Sequence, residues 1–232
     1  MMKVAQEPRT FIAARSIGAG IQNLLFADPR TVQDVEECVR ATRSEMPGLS
    51  RGTGIHGVGM QRDVGVVLEG GTPAWINANN DAVCALMIEK KQAVDDLEQL
   101  LAVPGVDMVQ FGATDYSVSI GHPGEDGRPG TKRHPKVDEA ELKVIKTAQR
   151  LGIAVRIEGS SATVQKYKDL GVKHFCTGGD MPALWDFFKT DGAAINRTLG
   201  REPPVALPYG IHRGGALPGA KAMGYGVGVA KI

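Results

Sequence analysis

The 232-residue sequence has little net charge, few cysteines and no long apolar run, and each shortage removes a class of function. Lys and Arg number 27 against 26 Asp and Glu, a formal net charge of +1. Nucleic-acid and membrane-surface binders draw affinity from a basic excess that this chain lacks. No apolar stretch approaches the ~20 residues of a membrane-spanning helix. The opening Met-Met-Lys-Val-Ala-Gln-Glu-Pro contains no signal-peptide core. The three cysteines, Cys38, Cys84 and Cys176, are odd in number, far apart and set in apolar stretches. That argues against a disulfide framework, and no C-x-x-C pair suggests zinc; buried thiols in a reducing cytosol are the expectation. The chain reads as a cytoplasmic protein with neither nucleic acid nor membrane as its partner.

What the sequence has in excess is glycine: 30 Gly beside 13 Pro, without a period. Together they make roughly 19% of the chain against a usual ~12%. The stretches between them are too apolar for disorder, so many short loops between regular elements are expected. A helix over 8–18 with a glycine exit leads to an apolar strand, Ile21 to Phe26, ended by Asp28-Pro29. Thr31 and Asp34 have capping-box spacing, ahead of Val32, Val35 and Val39 on one helical face, and that helix is expected to end near Met46-Pro47-Gly48. Residues 48–72 are irregular, with helices expected near 61–69 and 73–79. Further strands are expected at Asp81–Glu89, Val106–Phe111, Ile153–Ile157 and Lys173–Thr177. Between and after them come helices over 93–101, over 137–148, from Ser160 or Ser161 to Gly171, and from Asp180 through Leu184, Trp185 and Phe188. Strand–helix units with strands apolar on both faces predict an α/β fold with a parallel sheet, either open and doubly wound or a barrel. The absence of G-x-G-x-x-G after an early strand weakens the dinucleotide-binding version.

In parallel α/β folds functional groups sit at the C-terminal ends of the strands. Two acids fall there: Glu89 closes DAVCALMIE, and Asp115 follows VDMVQF by four residues. Neighbouring parallel strands lie about 4.8 Å apart, so the two carboxylates can share a divalent cation. An acid at Glu89 would equally suit the start of a helix beginning at Lys90. The backbone N–H groups of Gly112, Ala113 and Thr114 can cradle a substrate carboxylate beside the pair.

The stretch AVCALMIEKKQAVDDLEQLLAVPGVDMVQFGATDYSVSIGHPG resembles the metal-binding core of the HpcH/HpaI aldolase/citrate lyase family. The resemblance runs from about residue 1 to 196 and includes RTVQDVEECVRATR and the HGVG loop. It implies a TIM (β/α)8-type barrel and the class II hydroxyketoacid aldolase reaction, in which a 4-hydroxy-2-oxoacid is cleaved to pyruvate and an aldehyde through a metal-stabilised enolate. It further implies that Glu89 and Asp115 are the metal ligands, with Mg2+, Mn2+ or Co2+ as cofactor. Gly112, Ala113 and Thr114 would bind the carboxylate of the oxoacid.

The same resemblance exposes departures. Met1–Val4 aligns with the third strand of the family, so the barrel is incomplete, with about six βα units over 1–198. The first two units and their catalytic histidine are absent, as in a chain truncated at its N-terminus; closure by a partner or by the C-terminal tail is the alternative. Lys3 stands where the family has an arginine contacting the keto oxygen. Met87 and Met60 replace polar residues. Among the histidines, His56 is the in-chain candidate for the base, His122 orders the G-H-P-G loop and His174 belongs to the core. His134 and His212 fall in irregular, exposed segments. Residues 199–232 form a Gly/Pro-rich extension. Trp185, Phe187 and Phe188 suit subunit packing, so a dimer-based homo-oligomer, as large as a hexamer, is expected. Two further readings are a catalytically impaired metal- or oxoacid-binding barrel and a citrate-lyase-like enzyme acting on a coenzyme A thioester.

Overall fold

A computed structural model describes residues 1–48, 51, 53–60, 68–122, 133–177 and 180–201. Successive side chains on each strand point to opposite faces, and this alternation sorts the apolar residues into two layers. In β3 (Val83–Ile88), Cys84, Leu86 and Ile88 join the large core shared with the helices. Ala85 and Met87 instead meet Leu25 on the other face. Six strands lie in sequence order: β1 (Met2–Val4), β2 (Asn23–Phe26), β3, β4 (Met108–Phe111), β5 (Ala154–Gly159) and β6 (His174–Thr177). β1 to β5 pair in parallel, and Lys3, Leu25, Ala85, Met108 and Ala154 stand in one lateral row. The sheet curls into a half-barrel, the incomplete (β/α) barrel of about six units that the family resemblance implies and one of the two architectures that the strand–helix alternation allows.

The chain divides into two compact units, Met1–Cys176 and Thr177–Ile232. In the first, α1 (Arg9–Gly18) is held to α2 (Val32–Arg40) through Arg9, which is 2% exposed and bonds both Asp34 Oδ1 and Glu37 Oε2 at 3.1 Å. The expected capping box is present: the Asp34 N–H donates to Thr31 Oγ1, and the Thr31 N–H donates to Asp34 Oδ2. The helix stops at Arg40, well before Met46. Thr42 Oγ1 donates to the Val39 carbonyl, and Arg43, fully buried, turns beneath the sheet to donate to the carbonyls of Ala82 and Gly105. Continuing the helix would carry that guanidinium away from its acceptors.

α3 (Pro73–Asn80) starts at Thr72, whose hydroxyl accepts from the Trp75 N–H. The helix expected near 61–69 lies largely outside the described residues. The single helix expected over 93–101 is two, α4 (Lys91–Asp95) and α5 (Leu97–Leu101). They break at Asp96, yet still bury Ala93, Val94, Leu97, Leu100 and Leu101 on one side. α6 (Ala113–Ser119) follows β4, and α7 (Pro135–Arg150) precedes β5. α8 (Val164–Asp169) begins at Thr163 rather than at Ser160 or Ser161. Ser160 closes the turn before it, its carbonyl accepting from the Val164 N–H at 2.9 Å.

Cys38 and Cys84 are fully buried, as expected, and burial pushes the Cys84 thiol up to about 12; Cys176 is half-buried. His174 is exposed instead of in the core, because β6 is the terminal strand of the sheet. In the second unit α9 (Asp180–Thr198) presents Phe187 and Phe188 to solvent with their rings edge to face, 5.4 Å apart. The Trp185 side chain and the extension beyond Arg201 lie outside the described residues, His212 among them. No helix among the described residues is long and apolar enough to cross a membrane.

His56 is 5% exposed, pairs with Ser44 in an isolated parallel bridge, and bonds the Ala41 carbonyl through Nε2. Burial holds its pKa below the usual imidazole range. A histidine with a folded pKa below its unfolded value supports stability above the unfolded pKa and withdraws that support as pH falls. Measured against a His56→Gln variant, which shares every other titrating group, the wild-type urea midpoint is therefore expected to drop between pH 7 and 5. NMR titration should find the His56 ring still neutral where an ordinary imidazole is half protonated; a His56 midpoint at or above 6.5 contradicts the prediction.

Candidate active site

The face of the sheet turned away from the helices leads at its C-terminal end into a cavity of about 350 Å3. Strand alternation selects its lining. On β3 the residues facing this side are Ala85, Met87 and, one step past the strand, Glu89; on β4 they are Met108 and Gln110; on β5 they include Arg156 and Glu158. Met87 pairs with Gln110, and Gln110 with Arg156, so two residues further along stand Glu89, Gly112 and Glu158 at adjacent strand ends. Lys3 reaches the same cavity from β1.

Glu89 is 4% exposed, and its carboxyl lies above the ordinary range. Burial is the main cause and the charge of Asp115 adds to it, whereas Lys3, Lys90 and the backbone N–H of Asp28 favour the ionised form. Glu89 does not cap the following helix: the N-cap of α4 is Lys90, and the Lys91 N–H is met by Ser119 Oγ at 3.0 Å. Asp115, in the first turn of α6, is more than half exposed and receives Lys90 Nζ at 3.1 Å. This lysine contact had no counterpart in the sequence reading.

Gly112 is required by packing. A Cβ built there would lie 2.6 Å from Glu89 Cβ and 2.8 Å from Glu89 Oε2, so only glycine leaves the carboxylate uncovered. Its own N–H donates to the Ile88 carbonyl at 2.9 Å and is already engaged in the sheet. The donors open to a ligand in this turn are those of the residues that follow, Ala113 and Thr114, because the first helical N–H groups lack intrahelical acceptors.

The structure thus brings Lys3, Glu89, Gly112, Ala113, Thr114 and Asp115 to one cavity, with Met87 in its wall. His56 does not line it. His122 stacks on His134 with ring centroids 3.9 Å apart. His134 also caps α7, its Nδ1 accepting from the Lys136 N–H. Pro123 to Lys132, including Gly124 of the G-H-P-G loop, and the Met60 side chain lie outside the described residues. The sequence reading missed Gln110 and Glu158, although two-residue alternation from Met108 on β4 and from Arg156 on β5 would have exposed both. It also missed a buried cluster at the rim in which Glu141 accepts from the Tyr167 hydroxyl at 3.0 Å and faces Arg133 at 3.2 Å. That cluster joins a helix pair to a loop end, and no periodicity marks it.

A curled parallel sheet with two carboxylates at its C-terminal end is the layout of a (β/α)-barrel enzyme. The chain belongs to the HpcH/HpaI aldolase/citrate lyase family, whose model matches residues 2–173. It is 28% identical over 169 residues to a hydroxypyruvate/pyruvate aldolase of Roseovarius nubinhibens, covering 72% of this chain and 61% of that protein. It is 31% identical over 170 residues to a 4-hydroxy-2-oxo-heptane-1,7-dioate aldolase of Klebsiella pneumoniae, covering 72% and 59%. A family member of known structure from Burkholderia cenocepacia superimposes with a TM-score of 0.63 at 26% identity, covering 84% of this chain and 72% of the other. The chain spans about three-fifths of the length of the curated relatives it matches.

Proposed function

We propose that this chain carries the site of a divalent-metal-dependent carbon–carbon lyase that cleaves a 4-hydroxy-2-oxoacid to pyruvate and an aldehyde. The observation that carries the reading is the meeting of Glu89, Asp115 and the Gly112–Thr114 turn in one cavity. The residues fit a hard cation such as Mg2+, Mn2+ or Co2+: both donors are carboxylates, Glu89 is buried beside the charge of Asp115, and the missing side chain at Gly112 leaves Oε2 open. When bound, the cation supplies Lewis-acid polarisation of the 2-oxo group. The N–H groups of Ala113 and Thr114 donate to the carboxylate of the oxoacid and fix its orientation. The Lys3 ammonium is placed to favour negative charge developing on the keto oxygen, without the two-pronged geometry of an arginine. The partner is then a small 2-oxoacid, and assembly as a dimer-based homo-oligomer belongs to the same reading.

The test is release of pyruvate from a 4-hydroxy-2-oxoacid. Turnover is expected with Mn2+ or Mg2+, with loss on chelation. A second reading, an oxoacid-binding barrel without turnover, is favoured by the apolar Met87 in the cavity wall and by the location of His56 outside it. Calorimetry that detects Mn2+-dependent pyruvate binding, together with no product, selects this second reading. Absence of both binding and product removes the two together.

A further inference from the structure

We propose that Glu158 is the proton acceptor for the 4-hydroxyl group in this site, an inference that rests on the aldolase reading above. Its position follows from register: it stands two residues past the paired Gln110 and Arg156, level with Gly112, and Gly112 in turn adjoins Glu89. The glutamates therefore lie on β3 and β5 with one strand between them, roughly 10 Å apart at the usual interstrand spacing. That separation leaves room for a short-chain oxoacid held over Gly112, with its C1–C2 end at Glu89 and C4 toward Glu158.

Its orientation is built. Arg156 Nη1 donates to Gln110 Oε1, and Gln110 Nε2 donates to Glu158 Oε1 at 3.3 Å. Because a guanidinium only donates and an ionised carboxylate only accepts, the Gln110 amide has one permitted orientation. Gln110 itself is 3% exposed and held by both neighbours. Glu158 Oε2 has no hydrogen bond or ion pair among the described residues, and the side chain is exposed to the cavity. The other ionisable groups of the lining are occupied. Glu141 is held by Tyr167 and Arg133, Glu89 and Asp115 form the cation pair, and Lys3 is a cation.

In the step assigned to Glu158, the O–H bond of the 4-hydroxyl breaks and its proton passes to Oε2. The freed electron pair forms the second bond of the aldehyde carbonyl. The C3–C4 bond breaks, its pair becomes the C2–C3 double bond, and the carbonyl pair moves onto the 2-oxygen. A solvent proton then adds to C3 to give pyruvate, and Glu158 returns its proton to water.

Oxaloacetate isolates this step, since loss of CO2 from it forms the same pyruvate enolate without breaking an O–H bond. The full chain with Mn2+ is assayed on 4-hydroxy-2-oxopentanoate and on oxaloacetate, as wild type and as Glu158→Gln. The expected result is a fall of about 100-fold or more in kcat for the hydroxy acid, the usual scale of a lost general base, with KM little changed. Oxaloacetate decarboxylation should stay within about threefold of wild type, which also reports an intact fold and cation site. Cleavage retained by Glu158→Gln overturns the proposal, and so does an equal loss of both reactions. A wild-type chain that performs neither reaction overturns the aldolase reading and the role of Glu158 with it.

Discussion

An Asp107→Ala variant is expected to unfold at much lower urea concentration than the wild-type chain, with a loss of about 3 kcal/mol, the scale for orphaning one member of a buried ion pair. Asp107 sits just before β4, at the end of the half-barrel opposite the cavity. Its Oδ2 accepts from Arg43 Nη2 at 3.1 Å and from the Cys84 N–H at 2.8 Å, and its Oδ1 meets Arg51. Arg43 is the reason for the size of the effect. It is fully buried, burial pulls its pKa down, and its Nε has no hydrogen-bond partner among the described residues. Alanine at 107 leaves a buried guanidinium facing only carbonyls and the Thr42 hydroxyl, and it removes the acceptor of the Cys84 N–H in β3. Arg51, one-third exposed on the same carboxylate, is the control. Arg51→Met should cost under about 1 kcal/mol, because solvent screens that pair. Equal losses in the two variants would show that burial of Arg43 is not what makes the network strong.

This network illustrates what was and was not legible in the sequence. The strands were legible because a buried parallel strand is apolar on both faces, as in DAVCALMIE. The placement of Glu89 and Asp115 at one cavity was legible because polar groups collect at the C-terminal ends of parallel strands. The capping box at Thr31 and Asp34 depends on three residues of spacing and was read correctly. Arg43 was not legible: in RATRSEMPG a charged residue looks like one more exposed helix position. Its burial depends on acceptors at Ala82, Gly105 and Asp107, all remote in sequence. His174 failed in the opposite direction, since strand periodicity does not say which strand ends the sheet. Asp96 broke a helix whose apolar spacing was continuous, and the two short helices bury the same face that one would have buried. At the cavity, the Lys90 contact to the lining residue Asp115 was hidden because the two lie 25 positions apart, on different strand–helix units.

Glu89→Gln is expected to separate the stability of this site from its chemistry. A carboxyl whose folded pKa lies above its unfolded value carries no penalty in acid, where both states are protonated. The penalty grows as pH rises through the folded pKa and is complete above it. Burial and the charge of Asp115 place Glu89 in this class. At pH 7 without divalent cation, the glutamine variant should therefore melt higher than the wild-type chain, and the difference should shrink toward pH 4. Adding Mn2+ should reverse the order. A cation bound only by the folded state at a hundred times its Kd stabilises by about 2.7 kcal/mol. On the proposed cation reading the paired carboxylates hold it in the wild type alone, so the Mn2+-induced rise in Tm and the binding heat should both vanish in Glu89→Gln. If the variant melts lower than wild type in the absence of cation, Glu89 is part of the scaffold, held by Asp28 and Lys3. If Mn2+ raises both melting temperatures equally, the cation binds elsewhere on the chain. A buried carboxylate that weakens the empty fold and strengthens the loaded one is maintained for its ligand, and the two melting curves measure both halves of that exchange on the same residue.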